Sequence, residues 1–387
     1  MPMQIVVPQK DLDRVLDLVA RAAGDDKSNL LALAHIRLEA RAETLRLSAT
    51  NLTSTIHITM PAKVEEPGVT LIPKYVGKIA HAMPEGDLRV AVGGSECKLT
   101  VSSLGSKRLF NAHGLPGHDW PDPNHGKANL KEQTLPVSTL LLLLKVVEKS
   151  ISTDEGRIHV NSAQLRWHDS TIEAISTDGH RLTRICRDRE AGGTGDVLLS
   201  LRSVGILMKV LEQGLKEGAK DCLVFSNDRT FGVKLKDTEF VTKTVEAAFP
   251  PWQQIVTGNW GTKITLRRTE FIDATKAADV ADDQHKTGVK MVLNAARKLT
   301  LTIESPVTGV SHDEIEPLDV AMGRVDSDVH ARVLGRYLRE ATEHMDGEEV
   351  VMGIRGPLDA IFLTPKDDWQ ENPAMCRHFV CVMGIRD

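Results

Sequence analysis

Ile172-Glu173-Ala174-Ile175-Ser176-Thr177-Asp178-Gly179-His180-Arg181-Leu182 is the stretch from which the fold of this chain is read. Its first half has the composition of a short, mostly buried strand. Its second half holds an Asp-Gly pair, the usual chemistry of a tight turn that needs positive φ. The local reading is therefore strand, turn, strand. Two other stretches repeat the strand: Leu45-Arg46-Leu47-Ser48-Ala49 begins 127 residues earlier and Leu299-Thr300-Leu301-Thr302-Ile303 begins 127 residues later. The preceding strand keeps that offset at Leu38, Leu165 and Val292, and polar residues (42–44, 168–171 and 295–298) separate each pair. A fixed period of this kind marks an internal repeat. Each unit is thus expected to open its sheet with a hairpin.

Apolar residues at helical spacing lie upstream of each hairpin: Leu12/Leu16/Val19, Leu140/Leu144/Val147 and Phe271/Ala274/Thr275/Ala278. A second helix is expected in each unit near Lys74–Met83, Arg202–Lys216 and Val329–Met345. Strand pairs then close each unit: Leu88–Val92 with Lys98–Ser102, Cys222–Ser226 with Phe231–Leu235, and Glu349–Ile354 with Ala360–Thr364. The reading is an α+β fold of three repeated domains, each with two helices packed on antiparallel sheets. They span residues 1–125, 131–254 and 263–387, and Pro121, Pro123, Asn124 and Gly126 mark the first joint as a turn-rich linker. At 387 residues and 41% apolar, the chain exceeds what one core organises.

Residues 1–8 lack a signal-peptide pattern, and the longest apolar run, Leu140 to Leu144, is far too short to span a membrane. Five cysteines without a C-x-x-C pair suit reduced thiols in a cytoplasm. The net charge of −5 argues against nucleic acid until the charge is placed on the helices. Indexed at about 100° per residue from the core stripe, the outward faces carry Lys10, Arg14, Arg21, Lys74, Lys78, Lys145, Lys149, Arg202, Lys209, Lys276, Arg332, Arg336 and Arg339, with only Asp17, Asp273 and Glu343 opposing them. One basic helix face is ordinarily just solvated. Six biased the same way suit a phosphate backbone, contacted without reading bases.

No chemistry-bearing motif competes. Asp178 and His180 lie two apart in a turn with no G-x-S-x-G elbow, so no catalytic residue is assigned. His113, His118 and His125 match no metal-ligand spacing and read as surface loop histidines. Neither phosphate-binding glycine motif occurs, and no cofactor is expected. The rival reading, a three-domain enzyme with its site at the 254–263 joint, needs a titratable cluster that Pro250, Trp252, Gln253 and Gln254 do not supply.

The repeat, the paired helices and the Thr-Asp-Gly-His-Arg-Leu turn together resemble the bacterial sliding clamp family, the β subunit of the DNA polymerase III holoenzyme. Matching segments run through Leu45–Asn51, Leu115-Pro116 to Trp120-Pro121, Thr153-Asp154-Glu155 to Asn161, Phe249-Pro250, Tyr337-Leu338 and Val382-Met383 with Arg386. The resemblance implies a non-catalytic processivity factor: two chains joined head to tail in a ring around duplex DNA, opened and closed by a loader. It implies a hydrophobic groove for short linear motifs of the polymerase, the loader and repair factors. The matching positions are Arg157, Val160, Thr177, Gly179, His180, Arg181, Leu182, Pro250, Ile255, Tyr337, Ala360, Cys381, Val382, Met383, Ile385 and Arg386. Leu182, Val160, Ile255 and Met383 are expected to line an apolar slot, with arginine and histidine at its lip. Lys27 falls where the family carries a DNA-contacting basic residue. Lys107, Arg108 and Phe110 match the first domain's joint edge; Asp313, Glu314 and Glu316 match the acidic edge of the third.

Four positions depart from the family pattern. Gly384 replaces a frequent proline, Asp387 an apolar last residue and Gln254 a frequent arginine, changes that imply altered partner binding and keep a specialised clamp paralogue in view. Asp279, with Val280, stands where an apolar pair plugs the ring joint, which predicts a dimer held more by charge and weakened by salt.

Overall fold

A computed structural model describes the chain except for residues 1, 27–28, 95–96, 122, 124, 127–128, 191, 257–259, 282–287, 306–308, 322–328 and 386–387. The predicted Lys27, Arg386 and Asp387 lie outside the described residues. Among the described residues there are six α-helices: α1 (Gln9–Ala20), α2 (Val76–Ala82), α3 (Val137–Glu148), α4 (Leu201–Lys216), α5 (Arg268–Ala281) and α6 (Gly335–Thr342). The expected apolar stripes are the buried ones, with Leu12, Leu16 and Val19 facing inward on α1 and Phe271, Ala274, Thr275 and Ala278 on α5. None of the described helices is long and apolar enough to cross a membrane. All five cysteines are free.

One expected helix is overstated. Val329–Val333 is a strand pairing with Val289–Leu293, and α6 starts only at Gly335. Val329, Ala331 and Val333 are buried while His330 is exposed, the two-residue period of a strand, and branched side chains favour that pleated surface. Arg332, assigned to a helix face, therefore belongs to a sheet.

The three hairpins exist, and two keep the 127-residue offset in register. Leu38 pairs with Leu47 and Leu165 with Ala174, while in the third hairpin Val292 pairs with Thr300 and Met291 with Leu301. The longer third connection, with Arg297 at φ 60°, moves the pairing by one residue. Met291 and Leu293 face the core there and Val292 does not, because a one-residue slip exchanges the faces of a strand.

The chain divides into two compact units, residues 1–141 with 202–244 and residues 142–201 with 245–387. The expected 131–254 segment is thus shared between them. Long sheets are the reason. In the first unit, Ser54–Pro61 pairs with Thr238–Lys243 inside a nine-stranded antiparallel sheet, and a five-stranded sheet ends on the edge strand Leu109–His113. In the second unit, Arg181–Asp188 pairs with His378–Val382 inside another nine-stranded sheet, and a four-stranded sheet ends on the edge strand Gly309–Ile315. Buried hydroxyls line the first pairing: Ser54 Oγ lies 2.9 Å from Thr242 Oγ1 and 3.1 Å from Ser203 Oγ.

Candidate functional site: a turn-built groove and basic helix faces

The hexapeptide turn joins the strands Thr171–Thr177 and Arg181–Asp188 and is closed by its own side chains. Asp178 Oδ1 accepts hydrogen bonds from the backbone N–H groups of His180 and Arg181, each at 2.9 Å. Thr177 Oγ1 donates to the Arg181 carbonyl at 2.7 Å and accepts from Gly179 N–H at 3.1 Å. Gly179 has φ 94°, and a Cβ there would meet the Arg157 guanidinium at 3.3 Å. Glycine is needed for conformation and for space. These short polar groups are what make Thr-Asp-Gly a stable corner.

Strand pairing brings the C-terminal segment beside this turn. Leu182 lies opposite Cys381 and Arg181 opposite Val382, and Met383 N–H donates to the His180 carbonyl at 2.8 Å. A 3₁₀ turn, Trp252–Gln254, supplies the next wall. Trp252 is buried in the apolar cluster that contains Leu182 and Cys381, with Ala360 packed against it. Trp252 thereby fixes Pro250 and Ile255 on either side of itself. All described groove positions thus fall in the second unit.

Their exposures correct the expected division of labour. Leu182 and Val160, predicted to line the slot, are both 2% exposed and offer little surface of their own. Thr177, Cys381 and Val382 are buried with them. The apolar surface open to a partner comes from Ile255 at 46% and Met383 at 44%, flanked by half-buried Pro250, Tyr337, Ala360 and Ile385. Arg181, expected at the lip, is 7% exposed. Its guanidinium donates to Asp178 Oδ2 at 3.2 Å, to Glu340 and to the Lys149 carbonyl, and lies 4.2 Å from the centre of the Tyr337 ring. Arg157 and His180 are the exposed basic side chains of the turn region.

Gly384 sits against backbone: a Cβ there would come within 3.2 Å of the Asp359 carbonyl oxygen. Close packing thus accompanies the missing proline. Leu358 beside it is 56% exposed and, with Ile385, lines a cavity of about 280 Å³. Gln254 is exposed.

The basic helix positions are largely answered by nearby acids. Within the first unit, Arg14, Arg21, Lys74, Lys78 and Lys209 line one cavity of about 1230 Å³ between α1, α2 and α4. Arg21 pairs with Asp17 at 3.0 Å, Lys74 with Asp26 at 3.0 Å, Lys209 with Glu212 at 2.7 Å and Lys10 with Glu85 at 3.1 Å. Arg14 pairs with Asp11 and Glu217, and Arg202 donates to the Ala23 carbonyl. Helical indexing counted Asp17 but missed the other acids, so the faces are less positive than expected. In the second unit Lys145 is half-buried, Lys149 pairs with Glu148 at 3.3 Å, Lys276 with Asp273 at 3.6 Å and Arg339 with Asp279 at 3.2 Å. Arg336 lies 5.5 Å from the Tyr337 ring centre. The exposed pairs among these, such as Lys10–Glu85 and Lys276–Asp273, are worth little and exchange readily for phosphate.

Of the predicted joint residues, Phe110 lies on the edge strand Leu109–His113 and Asp313 and Glu314 on the edge strand Gly309–Ile315; Lys107, Arg108 and Glu316 lie just outside those strands, and Asp279 and Val280 on α5. Phe110, 44% exposed, stands on the Leu109–His113 edge above an apolar cavity of about 330 Å³. Lys107 beside it is exposed, and Arg108 donates to the Ala82 carbonyl. On the other edge Asp313 is half-buried, Glu314 pairs with Lys298 at 2.6 Å and Glu316 is exposed. The Asp279 carboxylate turns to Arg339, while its neighbour Val280 is 83% exposed.

His125 is also corrected from a surface histidine to a buried one, with Nε2 2.7 Å from Thr55 Oγ1. Among the described residues no His, Cys, Asp and Glu cluster could hold a metal ion. Sequence reasoning missed Glu340, Trp252 and Leu358. Only Trp252 carried a signal, as a large aromatic beside the matched Phe249-Pro250.

Residues 134–251 match the family model for the central domain of the DNA polymerase III beta subunit. The chain is 26% identical to the beta sliding clamp of Synechocystis over 95% of its length and 92% of that protein's. Its fold is similar to that of the Thermotoga maritima DNA polymerase III beta subunit (TM-score 0.86, 20% identity) and to the Bartonella birtlesii sliding clamp bound to griselimycin (TM-score 0.87, 21% identity). Both chains are covered completely in each of these comparisons. Residues 134–251 thus carry the central domain of the DNA polymerase III beta subunit, and the chain as a whole is similar to the beta sliding clamps along nearly its full length in sequence and throughout in fold.

Proposed function

We infer that this chain is a DNA sliding clamp, a non-catalytic processivity factor that encircles duplex DNA and tethers the replicative polymerase. The observation that carries the reading is the near end-to-end likeness to beta sliding clamps in sequence and fold. Two copies join head to tail through the open sheet edges. Lys107 and Arg108 meet Asp313, Glu314 and Glu316, while Val280 seats beside Phe110; the complementary charges and exposed apolar residues support this pairing. The ring is built from repeats at residues 1–125, 131–254 and 263–387, a division supported by the recurring hairpins.

Lys10, Arg14, Arg21, Lys27, Lys74, Lys78, Lys145, Lys149, Arg202, Lys209, Lys276, Arg332, Arg336 and Arg339 are the candidates for contact with phosphate. Their partial neutralisation suits sliding. A link to DNA that is topological needs only weak, exchangeable contacts, and a strong field would brake the ring. Partners present a short motif with Leu or Phe to Ile255, Met383, Pro250 and Ala360 above the Leu182/Cys381 floor, with Arg157 and His180 for its polar groups. The partners are the replicative polymerase subunit, a clamp loader and repair factors, in a cytoplasm. The Bartonella clamp's binding of griselimycin supports a ligand-receptive groove on this fold. Gln254 and the tight packing of Gly384 favour a second reading, a specialised clamp with altered partner preference.

Primer extension on a long single-stranded circle, with polymerase and loader, tests the reading. Adding the chain should lengthen the products, and a labelled peptide ending in Leu-Phe should compete the gain away. Products of unchanged length would overturn it.

A further inference from the structure

We propose that Glu340 is a positioning residue of the groove and that Arg181 is its buried pin, not a ligand of the partner peptide. The inference rests on the groove reading and adds to it how the lip is held. Arg181 is 7% exposed, so its permanent charge has left water and must be matched by fixed partners. Those partners come from three elements. Asp178 belongs to the turn itself, Glu340 and the Tyr337 ring belong to α6, and the Lys149 carbonyl follows the C-terminal end of α3. A helix C-terminus carries partial negative charge, which suits a guanidinium. Each of the three distinct guanidinium nitrogens is thus engaged inside the protein. A partner peptide would have to break a buried ion pair to use one of them. Glu340 is the only one of these groups that brings a full opposing charge from outside the turn; its carboxylate is 15% exposed. Without it, Arg181 keeps Asp178 but loses its tie to α6. The corner that aims His180 and Arg157, and whose carbonyl holds Met383, is then free to shift.

The test is fluorescence anisotropy of the labelled Leu-Phe peptide on the full-length protein. Glu340→Gln should weaken binding at least tenfold. Glu340→Asp keeps the opposing charge and should stay within threefold of the unaltered protein. An unchanged affinity for Glu340→Gln, or Glu340→Asp as weak as Glu340→Gln, would overturn the proposal. Hydrogen exchange gives a second, independent measurement. Amides 178–183 should exchange at least tenfold faster in Glu340→Gln while those of the 44–50 strand do not, and equal protection refutes the pin. If the unaltered protein fails to bind the peptide, the groove reading fails; the exchange result still decides the role of Glu340.

Discussion

Acid should loosen the groove through a single residue, His378. It opens the strand His378–Val382, whose far end carries Cys381 and Val382 into the groove floor. Its ring is 1% exposed, neither ring nitrogen has a hydrogen-bond partner, and burial together with the positive Arg187 and His344 lowers its pKa to about 3. In the unfolded chain the ring titrates near its ordinary value of 6.5. Between those two values the unfolded state binds more protons than the folded one, so stability falls as pH falls through that window. From pH 7.5 to pH 5.0 the loss from this residue is about 2 kcal/mol, at about 1.4 kcal/mol per pKa unit. For a unit of this size that corresponds to roughly 4–8 °C in Tm. The comparison to make is the Tm drop between pH 7.5 and 5.0 in the unaltered protein and in His378→Leu, which keeps an apolar side chain of similar bulk. Other titrating groups act on both proteins equally. The variant should lose several degrees less. Parallel drops would refute the argument that a buried neutral imidazole sets this part of the acid sensitivity.

Other perturbations follow from the same geometry. Gly179→Ala places a Cβ at φ 94° and 3.3 Å from the Arg157 guanidinium, so it should cost about 1 kcal/mol or more and weaken peptide binding, as read by urea unfolding and anisotropy. Phe110→Ala should shift the protein from dimer toward monomer in sedimentation while leaving Tm of the monomer nearly unchanged, because Phe110 is already 44% exposed without its partner. Asp279→Asn should leave the salt dependence of dimerisation unaltered, since Asp279 spends its charge on Arg339. Lys107→Ala with Arg108→Ala should flatten it.

The strand–turn–strand reading succeeded because its signals are local. Asp178 and Gly179 encode the corner within a few residues, and the alternating apolar positions of 172–176 and 45–49 declare their strands. The 127-residue offset carried two hairpins into register and missed the third by one, because connection length is a property of residues 294–298 alone. Val329–Val333 lies inside the helix expected over 329–345 but is a strand whose burial alternates.

Long-range pairing was the illegible part. Nothing near Arg181 in sequence announces Glu340, 159 positions away, and nothing near Arg14 announces Glu217, 203 positions away. Helical indexing says which way a side chain points but not what waits there. That is why Arg181, Arg339 and Asp279 could be singled out in the sequence while the ion pairs they make could not.

The central claim is topological, and residence on DNA tests it most directly. Labelled protein is loaded onto a nicked circle, free protein is removed, and the bound fraction is followed before and after one restriction cut. A sliding ring remains on the circle and leaves within the mixing time once an end is made. Loss at the same rate from the intact and the cut circle would contradict the account.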